Sequence, residues 1–491
     1  MMGKTHDHTP DRSRQQAVFE RLRHGILAGT LPPGARLPPS RHLASELGVA
    51  RQTVVLAYER LAAEGYVRAR SGSGTFVAAD LPDAVPAPAS VPRATAGPLS
   101  RRGADLAALP VAAAHGGGIV PVAEGSGLLA PGVPARELFP AAAWAGCTAR
   151  VLRALPPELT VYPDPQGLPE LRAEIAAHLA AIRGLIADPA HIVVTSGTQQ
   201  ALRIAADLLL DPGDRAWVED PGYVAGRAAL RAAGAVLVGV PSDADGIDVA
   251  AGARLAPKAR LALVAPSHAT PLGGALPVAR RLALLEWAGK AGAGRAGAWV
   301  LEDDCDSEFR WEGKPLPPLA TLDRAGRVIY CGTFSKTLAP ALRLGFAVVP
   351  PPLTAAFVRA REVSDRGPAT LHQAVLAELM RQGLLAPHVR RMRTEYAARR
   401  AALLAALARH CPALAMVAAP GGLHMVGRLP DGANEIAVVN ACRARGLAVA
   451  PLAAYFTGAP RFAGVVMGFA ATPVALANDA ARRLATALRG A

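Results

Sequence analysis

The chain has 491 residues, of which 51% are hydrophobic and only 4% aromatic, and it carries a formal net charge of +14 at pH 7. That length exceeds one ordinary domain and suits a small module plus a large one, while the basic balance calls for a polyanionic partner, either nucleic acid or an anionic membrane surface. No apolar stretch runs 18 residues without a charge, glycine or proline, and the opening M-M-G-K-T-H-D-H-T-P-D-R lacks the apolar core of a secretion signal, so a cytoplasmic location is expected and a membrane span is not. The cysteines, Cys147, Cys305, Cys331, Cys411 and Cys442, are scattered without a C-x-x-C, which supports neither a disulfide framework nor a metal site.

Residues 11–79 open the pattern. Val18, Leu22 and Ile26 share one face of a helix. The loop L-P-P-G-A-R-L-P-P-S follows, and its four prolines forbid helix. Ser40 is placed to cap a short helix with Leu43 and Leu47 one turn apart, and Gly48 to end it. A third helix carries Val54, Tyr58 and Leu61 as a core-facing stripe and keeps Arg51, Gln52 and Thr53 in a polar first turn. V-R-A-R and T-F-V-A, joined by S-G-S-G, then read as a β-hairpin. This is the winged helix-turn-helix plan, in which the third helix enters the major groove of double-stranded DNA and the hairpin reaches a neighbouring groove or the backbone. Arg41, Arg51, Gln52 and Thr53 are the expected DNA contacts, with Ser71, Gly72, Ser73 and Gly74 at the wing tip. Ten arginines against five acids give the module a local excess of +5 that favours phosphate. The same pattern would also serve a helical protein-docking module with a solvated basic face.

The motifs L-P-P-S-R-H-L-A-S-E-L-G-V-A-R-Q-T-V and E-G-Y-V-R-A-R-S-G-S-G-T-F-V make this stretch resemble the GntR-type DNA-binding domain along its whole length. Ala50 departs from that family, which usually has a serine there that caps the recognition helix and touches phosphate, so that contact is expected to be missing.

From Asp80 to Pro98 the chain has five prolines and no apolar periodicity, a linker that would span roughly 60 Å at ~3.1 Å per residue. The remainder, 99–491, alternates helical stretches with the short buried runs I-V-V-T, A-W-V-E-D, A-V-L-V-G-V, L-A-L-V-A-P, W-V-L-E-D-D, V-I-Y-C-G-T and L-G-F-A-V-V-P. Continuous apolar runs between helices predict an α/β domain, a mainly parallel sheet with helices on both faces. Ligands of such sheets lie at the carboxyl ends of the strands. That rule gathers T-S-G-T-Q-Q (195–200), E-D-P-G-Y (219–223), P-S-H-A-T-P (266–271), E-D-D-C-D (302–306) and T-F-S-K (333–336) around one rim.

The rim supplies a carboxylate at Asp303, an amine at Lys336, small and hydroxyl residues at Ser196, Gly197 and Thr198, further hydroxyls at Thr333 and Ser335, and the guanidinium of Arg343. A carboxylate, an amine and a phosphate cradle are the parts that hold pyridoxal 5'-phosphate (PLP). The lysine, in a chain whose cations are overwhelmingly arginine, bonds the aldehyde, and the carboxylate pairs with the pyridinium nitrogen and keeps the ring an electron sink. The start of a helix over 198–210 favours a phosphate, to which Arg343 adds a charged fork. Taken singly each of these has an ordinary alternative, half of an ion pair or a helix cap; their joint order along the chain is the signal.

The motifs P-G-V-P-A-R-E-L-F-P-A-A-A-W (131–144), Y-P-D-P-Q-G-L-P-E-L-R (162–172), V-T-S-G-T-Q-Q-A-L, V-E-D-P-G-Y, L-E-D-D-C-D-S-E-F-R, Y-C-G-T-F-S-K-T-L-A-P-A-L-R-L-G and V-M-G-F-A make the large domain resemble a fold-type I aminotransferase. With the N-terminal module, the chain over about 11–490 resembles the MocR/GabR subfamily of GntR-type regulators. The resemblance implies a PLP-dependent transferase fold of type I behind a winged helix-turn-helix, with Lys336 as the residue that bonds PLP, Asp303 as the partner of the ring nitrogen and Arg343 as a phosphate ligand. Tyr162 would reach the phosphate from the other subunit of a homodimer, and Tyr223 would lie near the ring. Three positions depart from the pattern. Cys305 stands where a tyrosine usually bonds the cofactor's phenolic oxygen, and a thiol is a poor replacement. Thr270 replaces the usual asparagine, tyrosine or phenylalanine before a proline, and Val466 falls where many members carry the arginine that clamps a substrate carboxylate, unless Arg461 or Arg227 compensates.

The implied function is a transcription regulator that binds operator half-sites and senses PLP, an amine or an amino acid through its aminotransferase-like domain, controlling vitamin B6 or amino-compound metabolism. The missing arginine leans toward PLP or another B6 form as the signal, and physiological turnover is not expected. The alternatives are an active PLP-dependent aminotransferase with an appended DNA-binding domain, and a PLP-free scaffold.

Overall fold

A computed structural model describes residues 9–70, 73–81, 99–109, 127–290, 297–311, 313 and 316–490. The chain divides into two compact units, Met1–Pro98 and Leu99–Ala491. The expected linker lies, from residue 82 to 98, outside the described residues.

The first unit contains α1 (Thr9–Leu27), α2 (Ser40–Leu47), α3 (Arg51–Ala63) and the hairpin β1 (Val67–Arg70) and β2 (Gly74–Val77), registered from Val67 opposite Val77 to Arg70 opposite Gly74. Val18, Leu22 and Ile26 of α1 pack with Leu43, Val54 and Leu61 in one buried core, as their spacing predicts. Tyr58 donates its hydroxyl to the Pro38 carbonyl at 2.7 Å, which pins the proline loop to α3. Gly48 closes α2 in the left-handed region at φ 64°. Ser40 is not a cap: Pro39, with φ −55°, occupies that position, so the helix begins one residue early and no side chain caps it. Ala50 leads α3 without a side-chain cap, as expected from its methyl group.

In the second unit β3 (Ile192–Thr195), β4 (Arg215–Asp220), β5 (Val236–Asp243), β6 (Gly246–Ile247), β7 (Leu261–Val264), β8 (Trp299–Asp304), β9 (Val328–Thr333) and β10 (Gly345–Val348) form, among the described residues, an eight-stranded sheet ordered β3-β10-β9-β8-β7-β4-β5-β6. The run β9-β8-β7-β4-β5 is parallel, and β10 is antiparallel to both neighbours. The link from β9 to β10, residues 334–344, is too short for a crossover helix, so the chain turns back and Lys336 is held in that turn. Period-two alternation divides the side chains between faces: Ala216, Val218, Leu301, Ile329 and Cys331 join one core, while Trp217, Val300 and Val328 join the other.

The helices around this sheet are α4 (Arg101–Ala107), α5 (Ala141–Ala154), α6 (Pro169–Arg183), α7 (Thr198–Leu209), α8 (Val224–Ala232), α9 (Val249–Leu255), α10 (Val278–Lys290), α11 (Pro351–Asp365) and α12 (Thr370–Arg381). A smaller antiparallel sheet, ordered β11-β12-β14-β13, follows them: β11 (Ala415–Met416), β12 (His424–Arg428), β13 (Ala450–Pro451) and β14 (Gly464–Gly468). It shares a core with α13 (Leu385–His410), α14 (Glu435–Arg443) and α15 (Ala477–Arg489). The sequence reading, which found only V-M-G-F-A here, did not separate this sheet from the parallel one.

Candidate functional site

The strand ends of the large sheet converge on a cavity of about 200 Å³ lined by Gly197, Thr198, Tyr223, Thr270, Asp303, Cys305, Thr333, Ser335, Lys336 and Arg343. Of the expected cofactor residues, only Ser196 and Tyr162 are not in its lining. Ser196 serves through its backbone: its carbonyl accepts from Arg343 and its N–H donates to Gln200 Oε1 at 2.8 Å. Tyr162 is 79% exposed, with Arg366 over its ring at 5.4 Å.

Lys336 directs Nζ to the Gly132 carbonyl at 2.5 Å. Gly132 sits at φ +70°, a conformation that favours glycine, and a Cβ there would lie 3.0 Å from that amine, tighter than ordinary contact. Asp303, at the end of β8, is 6% exposed, and its Oδ1 has no hydrogen-bond partner among the described residues. Burial pushes this carboxyl up to about 7, Asp306 and Asp304 add to the rise, and Lys336 opposes it. The flanking acids are engaged elsewhere. Glu302 accepts from the amides of Leu319 and Ala320 at 2.7 and 2.9 Å. Asp304 accepts from Arg183 at 3.0 Å and from the Tyr330 hydroxyl at 2.6 Å. Of the three successive acids, the middle one is thus left to the cavity.

The same cavity carries a cradle. Gly197, at φ +96°, precedes α7 and lies so near Arg343 that a Cβ would stand 3.2 Å from its Nη1. Thr333 donates Oγ1 to Ser335 Oγ at 2.9 Å and accepts from the Ser335 amide at 3.1 Å, which sets the turn carrying Lys336. Burial, with Asp306 and Asp303 beside it, lifts the Cys305 thiol well above its ordinary value, so it stays protonated. Burial likewise raises the Tyr223 hydroxyl.

Sequence reasoning missed four further polar members. Gln199, Asp306, His424 and Tyr455 also line the cavity. His268 Nδ1 lies 3.1 Å from Asp306 Oδ2, its ring meets His424 edge-on at 5.1 Å, and His424 Nε2 is 3.0 Å from the Pro271 carbonyl. All three side chains are buried, with ligand-type atoms within 4.8 Å of one another. Asp306 and His268 stood inside motifs already read, E-D-D-C-D and P-S-H-A-T-P; for His424 the only local signal was the preceding G-G-L.

Neither arginine expected to compensate for position 466 is among the residues that line the cavity. Val466 is fully buried in β14 between Val426 and Ala450. Arg227 donates to the carbonyls of Tyr455 and Ala454 at 2.8 and 2.6 Å, and Arg461 donates to the Asp220 carbonyl.

In the small unit Arg41, Arg51, Gln52, Ser73 and Gly74 are exposed, as DNA contacts would need to be. Ser71 and Gly72 lie outside the described residues. Thr53 is corrected: it is 2% exposed, because the third residue of α3 turns to the same side as the buried Val54 and Ala57. It offers no side chain to a groove.

A DNA-binding module joined to a cavity of the aminotransferase type defines a class of one-chain regulators. Residues 14–77 match the bacterial regulatory proteins of the gntR family, and residues 130–464 match aminotransferase class I and II. The chain is 40% identical, over 94% of its length and 91% of the relative's, to the probable rhizopine catabolism regulatory protein MocR of Rhizobium meliloti. It is 34% identical, over 92% of its length and 91% of the relative's, to the HTH-type pyridoxine biosynthesis transcriptional regulator PdxR of Corynebacterium glutamicum. Among solved structures it is similar to LysN, an alpha-aminoadipate aminotransferase of Thermus thermophilus complexed with N-(5'-phosphopyridoxyl)-L-leucine, with a TM-score of 0.68 and 29% identity over 75% of this chain and 93% of that one. The chain belongs to the MocR-type family of transcription regulators, GntR module and aminotransferase domain in one polypeptide.

Proposed function

We propose that the chain is a PLP-dependent transcription regulator that reads an amino compound through its large domain and changes its grip on an operator accordingly. The observation that carries the PLP reading is the unpartnered Oδ1 of the buried Asp303 in the same cavity as the Lys336 amine. A pyridinium N–H satisfies that oxygen, and its charge removes the cost of ionising a buried acid. When bound, PLP supplies an aldehyde that bonds an amine and a ring that withdraws electrons.

The protein's own groups divide the work. Lys336 presents the amine, with the Gly132 carbonyl fixing its direction. Asp303 holds the proton on the ring nitrogen. The amides that open α7, the hydroxyls of Thr333 and Ser335, and Arg343 receive the phosphate. Cys305, a neutral donor, gives the phenolic oxygen weaker support than a tyrosine would. Homodimerisation belongs to this reading: Leu155, Val161 and Tyr162 are 58%, 63% and 79% exposed, a stretch that suits a partner subunit's surface and would bring Tyr162 to the partner's phosphate cradle. A coupling of ~1–3 kcal/mol between ligand and DNA suffices to change promoter occupancy. As a regulator with a bacterial gntR-type module it would act in the cytoplasm, where a bacterial chromosome lies.

The polar lining residues outside the expected cofactor set, Gln199, Asp306, His424 and Tyr455, favour a second ligand as the signal. A second reading, in which PLP itself is the signal, is favoured by the burial of Val466 away from the cavity. Borohydride reduction of the purified protein, followed by peptide mapping, tests the foundation of both. A pyridoxyl adduct on Lys336 is expected, and its absence from PLP-saturated protein contradicts them. Operator titrations with PLP and with amines then decide which is the signal.

A further inference from the structure

We propose that Asp306 and His424 form the recognition wall for the effector, admitting a primary amine whose far end is a hydroxyl or a second amino group and disfavouring one that ends in a carboxylate. This deepens the reading above and rests on it: the effector is taken to meet PLP at Lys336.

The basic residues of the cavity lining are Lys336 and Arg343. The first bonds the cofactor and the second belongs to the phosphate cradle, so neither remains for an incoming anion. Arg227 and Arg461 are committed to backbone carbonyls outside the lining.

The free wall is rich in hydrogen-bond acceptors. His424 Nε2 stands 3.0 Å from the Pro271 carbonyl, and a carbonyl only accepts, so Nε2 carries the hydrogen. Burial first, then neighbouring His268, brings His424 down to about 4, so near neutral pH the ring has a single hydrogen and Nδ1 is an acceptor. Burial works against charge on Asp306, yet His268 and His424 hold it below the usual carboxylate range, leaving it an anionic acceptor. Two acceptors, one of them charged, suit an ammonium or a hydroxyl and repel a carboxylate.

The wall is also held in place. His268, 4% exposed and 3.1 Å from Asp306, backs it, and its ring is seated so tightly on Gly422 that a Cβ there would come within 2.0 Å of Cε1. Three separate segments meet here: the end of β8, the loop 265–271 and the start of β12.

The test uses the PLP-loaded full chain and three amines of equal reach, 1,3-diaminopropane, 3-aminopropan-1-ol and 3-aminopropanoate. Change in cofactor absorbance and affinity for an operator fragment are both read. The diamine and the amino alcohol are expected to half-saturate at concentrations at least about tenfold lower than the carboxylate. In Asp306→Asn the diamine should lose about tenfold of its advantage over the amino alcohol, a ratio that a merely structural role would leave unmoved. Equal or tighter response to 3-aminopropanoate, or an unchanged ratio in Asp306→Asn, overturns the inference while leaving PLP sensing intact. Should none of the three amines alter absorbance or operator binding, amine sensing itself fails, and this inference with it.

Discussion

Asp303→Asn should stabilise the cofactor-free protein and weaken the cofactor's hold on it. The carboxyl is 6% exposed and raised from 3.8 to about 7, chiefly by burial. Its folded value lies above its unfolded one, so its contribution to stability is fully present below about pH 4 and is lost as pH rises through 7. Three pH units correspond to ~4 kcal/mol, of which about 3 fall between pH 5 and pH 8. Asparagine cannot ionise and escapes this loss. Glu302, also buried and raised, is common to both proteins and cancels in the difference, whereas Glu219 is raised in part by Asp303 itself and so shifts the difference further in the same direction. Urea unfolding without PLP should therefore find the variant gaining about 3 kcal/mol on the wild type as pH moves from 5 to 8. With PLP the sign reverses: the charge-assisted bond to the ring nitrogen is lost, and affinity falls by about 10- to 150-fold. A variant whose advantage is absent or independent of pH, or that binds PLP as well as the wild type, would refute the assignment of Asp303.

Gly422→Ala must accommodate φ +81° and a Cβ 2.0 Å from the His268 ring, and a loss of about 2–4 kcal/mol in urea unfolding is expected; unchanged stability would mean the ring is free to move. Arg51→Ala should weaken binding to all DNA sequences and lower the salt slope of log K by about 0.9 if that residue meets a phosphate, whereas the buried Thr53→Val should alter DNA affinity by no more than about twofold; both are read by titration at several salt concentrations. The protonated Cys305 should alkylate at least about tenfold more slowly at pH 7.5 than a free thiol, and fast labelling followed by peptide mapping would contradict its neutral state.

Much of this was legible in the sequence because the elements are locally coded. The apolar runs became the strands, and the residues just after them became the cavity, since parallel strands bring their carboxyl ends to one side whatever the rest of the chain does. Lys336 and Asp303 were found for that reason. Thr53 was misjudged because a polar residue in a helix's first turn can face either way, and only the packing of α3 on α1 decides it. Ser40 was misjudged by one residue, the scale on which proline shifts a helix start. His424 and Tyr455 were out of reach: they come from the small antiparallel sheet and its neighbouring turn, and their approach to the cavity is a tertiary fact with no local pattern. The same holds for Arg281, whose side chain is buried to bond the carbonyls of Leu276, Pro317 and Pro266 at 2.7, 2.5 and 2.8 Å, bracing the loop that carries His268.

The central claim is that the amine of Lys336 turns metabolite level into operator affinity. The most direct measurement is the affinity of wild type and Lys336→Ala for an operator fragment, each with and without PLP and with PLP plus 1,3-diaminopropane. Ligands should shift the wild-type affinity several-fold and leave Lys336→Ala unmoved. The same shift in both proteins would contradict the claim.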